Sequence, residues 1–408
     1  MSMRLIVTKR VKPLRFGGIV IPFLSIVIGI FLATLALYGL AQVPPSLVYG
    51  AIGQSLVSPQ MLQTFIMLTI LGVALIIPFS AAVWNIGAEG QIIWGMISSA
   101  FIGLSVAVRY IMVSPTELPK YTNMPGMFVL PTPTVSGAYA VEALTMSPGA
   151  AISLMLIVSA IAGAIWALVA GLMRAYLDID EVATTLIMNY IAYYAYNFIV
   201  YGPLQGITIS TSGFGLSNAL HPELRFARIS TATTATWEGV ALMIGIFVAA
   251  WFVLRHTTFG LRLRILGSNP NALKAAGINV RKYIVAALAI SGAIAGIVGT
   301  ILFAGNLYQL IKIKTITTPP THNIGYTAIL VSWLSMLDLR GIPIAAYIVA
   351  SLFQAGINLQ SSLGGVSGGS AMISSGALTY VLIGFVLTTF TVLRVFSEYS
   401  IKVVRERG

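Results

Sequence analysis

Ile19–Leu40 reads IVIPFLSIVIGIFLATLALYGL, 22 residues without a charge. A helix crossing the hydrocarbon of a bilayer takes about 20 apolar residues, so this stretch alone predicts a membrane span. Nine more follow: Thr64–Trp84, Ile92–Val108, Ala150–Met173, Val182–Val200, Gly239–Leu254, Ile284–Ala304, Ile324–Leu337, Ile342–Leu359 and Gly376–Leu393. Every charged residue of the chain lies outside these ten stretches. Gly239–Leu254 and Ile324–Leu337 fall short of a full crossing. They read as helices longer than their apolar runs, or as broken helices shielded by protein. In lipid every backbone polar group needs an internal partner, and no stretch alternates as barrel strands do. The expected fold is an all-α polytopic membrane protein, with about ten transmembrane helices in one bundle.

Composition agrees. The chain is 57% apolar and 8% charged, with mean hydropathy +0.92, against roughly 25% charge in a soluble domain. It has no cysteine, so disulfides are excluded. Arg4, Lys9, Arg10, Lys12 and Arg15 give the N-terminus the charge of a signal peptide. The apolar run behind them exceeds an h-region of about 7–15 residues, and no clear small-residue cleavage site follows, so the reading is a retained first helix.

A net charge of +12 would point to nucleic acid in a soluble protein. Here topology accounts for it. With the N-terminus inside and ten alternating spans, the inside segments hold 17 of the 23 Lys and Arg: five before the first span, Arg174, six within residues 255–282, Arg340 and four at the C-terminus. This asymmetry satisfies the positive-inside rule with both termini cytoplasmic, and acidic headgroups supply the counter-charge. The predicted organisation is a basic cytoplasmic N-terminus (1–18), a transmembrane domain (19–393) and a basic cytoplasmic tail (394–408), in the inner cell membrane.

Three outside segments are longer than the rest. Arg109–Gly149 is rich in proline, Tyr201–Glu238 carries His221, Arg225 and Arg228, and Gln360–Ser375 includes the run SSLGGVSGGS, which favours flexibility. Each reads as a docking surface or as a solvated linker. Asn85-Ile86-Gly87 opens the third span and Asn323-Ile324-Gly325 the eighth. Spans five apart run in opposite directions, so this echo suggests an inverted repeat.

The cytoplasmic segment Arg255–Tyr283 contains a self-contained short helix. Asn269 can cap its first amides, Pro270 and Asn271 suit its first turn, Ala275 and Ala276 close it, and Gly277 suits the left-handed stop. Such a capped knob can dock a partner, where an uncapped segment would be an ordinary basic loop. Glu89 sits in the seven-residue gap Asn85–Gln91 between two spans. An ionisable group at that depth marks a pathway or, alternatively, complements the start of the third helix. Asn85 and Gln91 flank it. In the fifth span Asn189, Tyr190, Tyr193, Tyr194 and Asn197 adjoin, as a polar lining or as interhelical bonds with interfacial tyrosines. Gly292 and Gly296 form a GxxxG pattern for close helix packing. Asp178, Asp180 and Glu181 cluster as Mg²⁺ ligands might in an intramembrane enzyme, but no second acidic cluster completes a site, and helix-start electrostatics explains them more simply. No HExxH motif and no P-loop occurs, so neither a metal nor ATP is expected on this chain.

The segment GSNPNALKAAGINV resembles the coupling-helix region of permease subunits of ATP-binding-cassette importers, in the group moving nucleosides and simple sugars (branched-chain amino acid and ribose-like permeases). NIGAEGQIIWG (85–95), EVATTLIMNYIA (181–192) and GYTAILVSWLSMLDLRGIP (325–343) resemble the same group. In the last, Leu337-Asp338-Leu339-Arg340 stands where the group has a Gly/Asn-Pro pattern. The resemblance implies the ten-helix permease fold of vitamin B12 importers, no covalent chemistry, and no cofactor beyond ATP on partner chains. It also implies two cytoplasmic ATPases docked at Pro270–Ala276, an extracytoplasmic binding protein, and a second permease, expected as a heterodimer. A neutral solute would pass Asn85, Glu89, Gln91, Asn189, Tyr190 and Tyr193, a nucleoside first and a simple sugar second. An ion-coupled carrier is the rival reading. It would place acids or histidines within spans, and here no span contains one; Glu89, in the gap between two spans, is the only candidate.

Overall fold

The computed structural model describes residues 3–9, 17–122, 124–313, 319–364 and 375–405. Thirteen helices follow along the described chain. They are α1 (Gly17–Ala41), α2 (Pro45–Leu56), α3 (Met61–Phe79), α4 (Ala88–Phe101), α5 (Pro148–Leu177), α6 (Glu181–Tyr201) and α7 (Trp237–His256), then α8 (Thr258–Ser268), α9 (Pro270–Ala275), α10 (Val280–Leu302), α11 (Ile324–Leu334), α12 (Ile342–Gly364) and α13 (Ser375–Glu398). Seven are long and apolar enough to cross a membrane: α1, α3, α5, α7, α10, α12 and α13. The other three apolar stretches fall on α4, α6 and α11. The chain is thus a mostly helical, multi-pass membrane protein.

The all-α expectation needs one correction. Strands β1 (Met3–Lys9), β2 (Val108–Val113), β3 (Met127–Val129), β4 (Tyr139–Leu144) and β5 (Tyr399–Arg405) form two small antiparallel sheets. β1 pairs with β5 from Met3 opposite Arg405 to Lys9 opposite Tyr399. The two basic ends expected as tails therefore share one hairpin-like ribbon. The proline-rich segment after α4 folds as the sheet β2-β4-β3, whose strands VRYIMV and YAVEAL are rich in the β-branched and aromatic residues that favour strands. Of the Gly/Ser run, residues 360–364 continue α12, and 365–374 lie outside the described residues, as do Arg10, Lys12, Arg15 and Lys314.

Both short stretches are resolved differently. The apolar run at 239–254 extends to a full helix, Trp237–His256, started by Thr236, whose hydroxyl accepts from the Gly239 N–H. The run at 324–337 shortens to Ile324–Leu334. His322 and Asn323 before it, and Met336 and Leu337 after it, have φ of +52° to +58°. Left-handed residues on both sides cannot continue a right-handed helix.

Two compact units divide the chain, Met1–Met61 with Trp333–Gly408, and Leu62–Ser332. In the first, α1 lies along α13, α13 along α12, and α12 against α2, over a core that includes Leu37, Val48, Leu359 and Leu382. In the second, α10 packs on α5 and α4 at glycine contacts. A Cβ on Gly296 would stand 2.1 Å from the Ser159 carbonyl oxygen, and one on Gly95 would stand 2.1 Å from that of Gly296. The GxxxG pair therefore brings three backbones into van der Waals contact, as small residues do in membrane helices.

Candidate functional site

Most of the residues singled out by sequence converge in the second unit, at the loop leading into α4. Asn85 and Gln91 form a closed amide pair. Asn85 Nδ2 donates to Gln91 Oε1 (3.1 Å) and to Ser291 Oγ of α10 (2.9 Å), and its Oδ1 accepts from Gln91 Nε2 and the Gly87 N–H, both at 3.0 Å. Asn189 of α6 reaches the same loop. Its Oδ1 accepts from the Gly90 N–H (2.8 Å), and its Nδ2 donates to the Ile86 carbonyl and the Tyr326 hydroxyl, both at 2.9 Å.

Glu89 ties α4 to α11. The Thr321 hydroxyl donates to one carboxylate oxygen and the Gly325 N–H to the other at 2.7 Å. Gly325 is required there, since a Cβ would stand 2.5 Å from the Glu89 nitrogen. The Tyr193 hydroxyl lies 3.4 Å from Asn323 Oδ1. The two segments of the sequence echo thus meet: Asn85–Gly87 lies behind Glu89, and Asn323–Gly325 lies in front of it. Asn85, Glu89, Gln91, Asn189 and Tyr193 are all buried, and only Tyr190 is exposed, with its ring edge on Tyr193 at 6.2 Å. Sequence reading missed Thr321, Tyr326 and Ser291 as members. Thr321 lies four residues before the segment GYTAIL, Tyr326 is that segment's second residue, and Ser291 directly precedes Gly292.

The acidic cluster is structural. Arg174 pairs with Asp178 at 2.8 Å and with Glu181 at 3.0 Å. Asp180 caps α6 through the Val182 N–H, and Glu181 also accepts from the Trp84 N–H at 3.1 Å. No group of His, Cys, Asp and Glu suited to a metal exists among the described residues.

The capped knob forms as its capping residues predict. Asn269 Oδ1 accepts from the Ala272 N–H (3.2 Å), Pro270 opens α9, and Gly277 leaves it at φ +74°. Only Leu273 of the helix is buried, as its anchor, so Asn269, Pro270, Asn271, Ala275 and Ala276 form an exposed face. Arg262 donates to the Tyr283 hydroxyl, and Arg281 lies over the Tyr176 ring at 5.4 Å. These contacts fix the segment to α10 and α5.

A second polar cluster sits on the β2-β4-β3 sheet. Tyr110, Glu142 and Phe128 are cross-strand neighbours in a row. Glu142 is fully buried, and neither of its oxygens has a donor in hydrogen-bond geometry, because the Tyr110 hydroxyl donates instead to the Leu104 carbonyl at 3.1 Å. Burial pushes the Glu142 carboxyl up to about 8, against the pull of Tyr110 and Arg225. Arg225 lies over Tyr308 at 5.0 Å and Phe128 at 5.9 Å. Burial lowers the His221 pKa beside it.

Packed membrane helices, a buried hydrogen-bonded node and an exposed capped helix suit a membrane-spanning transport subunit. The chain belongs to the family described as branched-chain amino acid transport system / permease component, which matches residues 59–391. It is the membrane-spanning permease of an ATP-binding-cassette importer and not an enzyme, and membership implies ATPase and substrate-binding partners in general. Similar proteins include the guanosine ABC transporter permease protein NupP of Bacillus subtilis, 24% identical over 96% of both chains. The nucleoside ABC transporter permease protein NupB of Lactococcus lactis is 22% identical over 82% of both. The glucose ABC transporter permease protein TsgB13 of Haloferax volcanii is 24% identical over 82% of this chain and 80% of its own. No solved structure matches.

Proposed function

We propose that this permease imports nucleosides. The observation that carries the reading is the end-to-end similarity, 96% of both chains, to a guanosine permease. The interior supports a neutral solute, since amides and phenols surround the node and, among the described residues, no Lys or Arg bonds to Asn85, Glu89, Gln91 or Asn189. In this reading Asn85, Glu89, Gln91, Asn189 and Tyr193 form the polar wall behind the path. Tyr190 and Tyr194, on the exposed face of α6, meet the solute. A simple sugar is the second reading, favoured by the similarity to a glucose permease.

The proposal includes ten crossings in the vitamin B12-importer arrangement. Each of the ten apolar stretches overlaps a helix, and the pairing of β1 with β5 supports both ends lying on one side, as an even count requires. The charge asymmetry supports the cytoplasm as that side. Partner ATPases then bear on Asn269–Gly277 and bind the ATP, and a second, different permease completes the pathway. Competition in cells carrying the whole system tests the solute. Unlabelled nucleosides in excess should abolish uptake of labelled guanosine while glucose and galactose leave it unchanged. The opposite pattern replaces the nucleoside with a sugar.

A further inference from the structure

We propose that the groove between α1 and α12 is a binding site for a single anionic glycerophospholipid, with Arg340 on its phosphate. The groove lies wholly within the first unit and has a volume of about 410 Å³, inside the ~300–1,000 Å³ range of small-molecule sites. Pro22, Phe23 and Ile26 of α1 form one wall, Ile344 and Ile348 of α12 the other, and Leu334 the floor. Phe23 is 64% and Ile344 66% exposed, so the groove opens on the face that meets lipid tails. From Ile344 to Ile348 the helical wall runs ~6 Å, at 1.5 Å per residue. That length suits the boundary between headgroups and acyl chains.

The polar end is what selects the lipid. Arg340 lines the mouth and is exposed, and its guanidinium has no partner among the described residues. Asp338, its nearest acid in sequence, turns its carboxylate onto the Arg340 backbone N–H at 3.1 Å. A free guanidinium beside an apolar slot matches a phosphate joined to acyl chains, and guanidinium binds phosphate bidentately. The mouth also lies at the end of the helices from which β1 and β5 leave, carrying Arg4, Lys9, Lys402 and Arg405 in sequence. That concentration of positive charge draws anionic rather than zwitterionic lipid to this end. The groove uses none of the residues of the node or of α9, so it stands independently of the solute assignment.

The experiment is lipid retention by the purified full chain, read by native mass spectrometry after exchange into equal phosphatidylglycerol and phosphatidylcholine. One phosphatidylglycerol should remain on the wild type. Arg340→Gln should retain about 5-fold less, the equivalent of ~1 kcal/mol per basic residue at a membrane surface, and Arg340→Lys should retain more than Arg340→Gln. Ile344→Trp, which fills the groove and keeps the charge, should lose the lipid as well, so the site remains testable if one variant folds poorly. Arg394→Gln, a charge change elsewhere in the same unit, should leave retention intact. Equal retention of both lipids, retention surviving both Arg340→Gln and Ile344→Trp, or an equal loss in Arg394→Gln would overturn the site.

Discussion

Replacing Glu89 with alanine separates a tie between helices from an open pathway group. The carboxylate is fully buried and accepts from the Thr321 hydroxyl and the Gly325 N–H. Alanine leaves both donors buried without an acceptor, at ~1–3 kcal/mol each. The expected destabilisation is therefore about 2–6 kcal/mol. Glutamine keeps a carbonyl oxygen for Gly325, and the Thr321 hydroxyl can rotate to accept from the new amide, so its cost should stay near ~1 kcal/mol. Thermal unfolding of the purified chain in nanodiscs reads the difference. At roughly 2 °C per kcal/mol for a large chain, Glu89→Ala should lower Tm by ~4–12 °C and Glu89→Gln by ~2 °C. Uptake should fall with stability in the alanine variant. A Glu89→Ala protein melting within about 1 °C of wild type would refute the claim that this carboxylate holds α4 to α11.

Two further outcomes follow from the helix packing and from the β2-β4-β3 sheet. The Glu142 carboxyl titrates at about 8 in the folded chain against 4.5 without burial, so the folded state holds a proton that the unfolded state has lost between these values. Its contribution is complete below about 4.5 and drains as pH rises to 8, by up to ~5 kcal/mol. The Tm of wild type relative to Glu142→Gln should fall across that window, and parallel curves would exclude Glu142 as the titrating group. Gly296→Leu must push a Cβ that already stands 2.1 Å from a carbonyl oxygen, at ~3 kcal/mol or more. It should sharply lower the folded yield, while Gly245→Leu, with nothing within 4 Å, should be tolerated; equal yields would show that the α5–α10 crossing can open.

What was legible in the sequence follows from the solvent. Lipid forces charge out of spans, so the apolar stretches mark the helices without any knowledge of their contacts. The capped knob was legible because Asn269, Pro270 and Gly277 act within a few residues of one another. The node was legible only in part. Asn85, Glu89 and Asn189 stand out as polar groups in apolar surroundings, but the bonds from Glu89 to Thr321 and Gly325 span more than 230 residues. Nothing local distinguishes Thr321 from its neighbours. The sheet β2-β4-β3 was hidden by the prolines around it and by an apolar run that ends where β2 begins. The pairing of β1 with β5 joins opposite ends of the chain, and no periodicity records such a partner.

Three buried acids show why the interior can hold charge in one place and not in another. Glu181 faces Arg174 and the Trp84 N–H, so its charge has both a counter-ion and a donor. Glu89 has two donors and, among the described residues, no salt bridge, an arrangement that satisfies the oxygens while tying together two helices. Glu142 has neither a salt bridge nor a donor in hydrogen-bond geometry among the described residues, and Arg225 rests on the Tyr308 and Phe128 rings instead of on the carboxylate. Burying an uncompensated charge is costly, and a carboxyl in that position takes up a proton instead. Glu142 therefore converts the pH around the sheet into a change in stability. The two oxygens of Glu89 instead accept from donors in the segment leading into α11 and in its first turn, which ties that segment to α4.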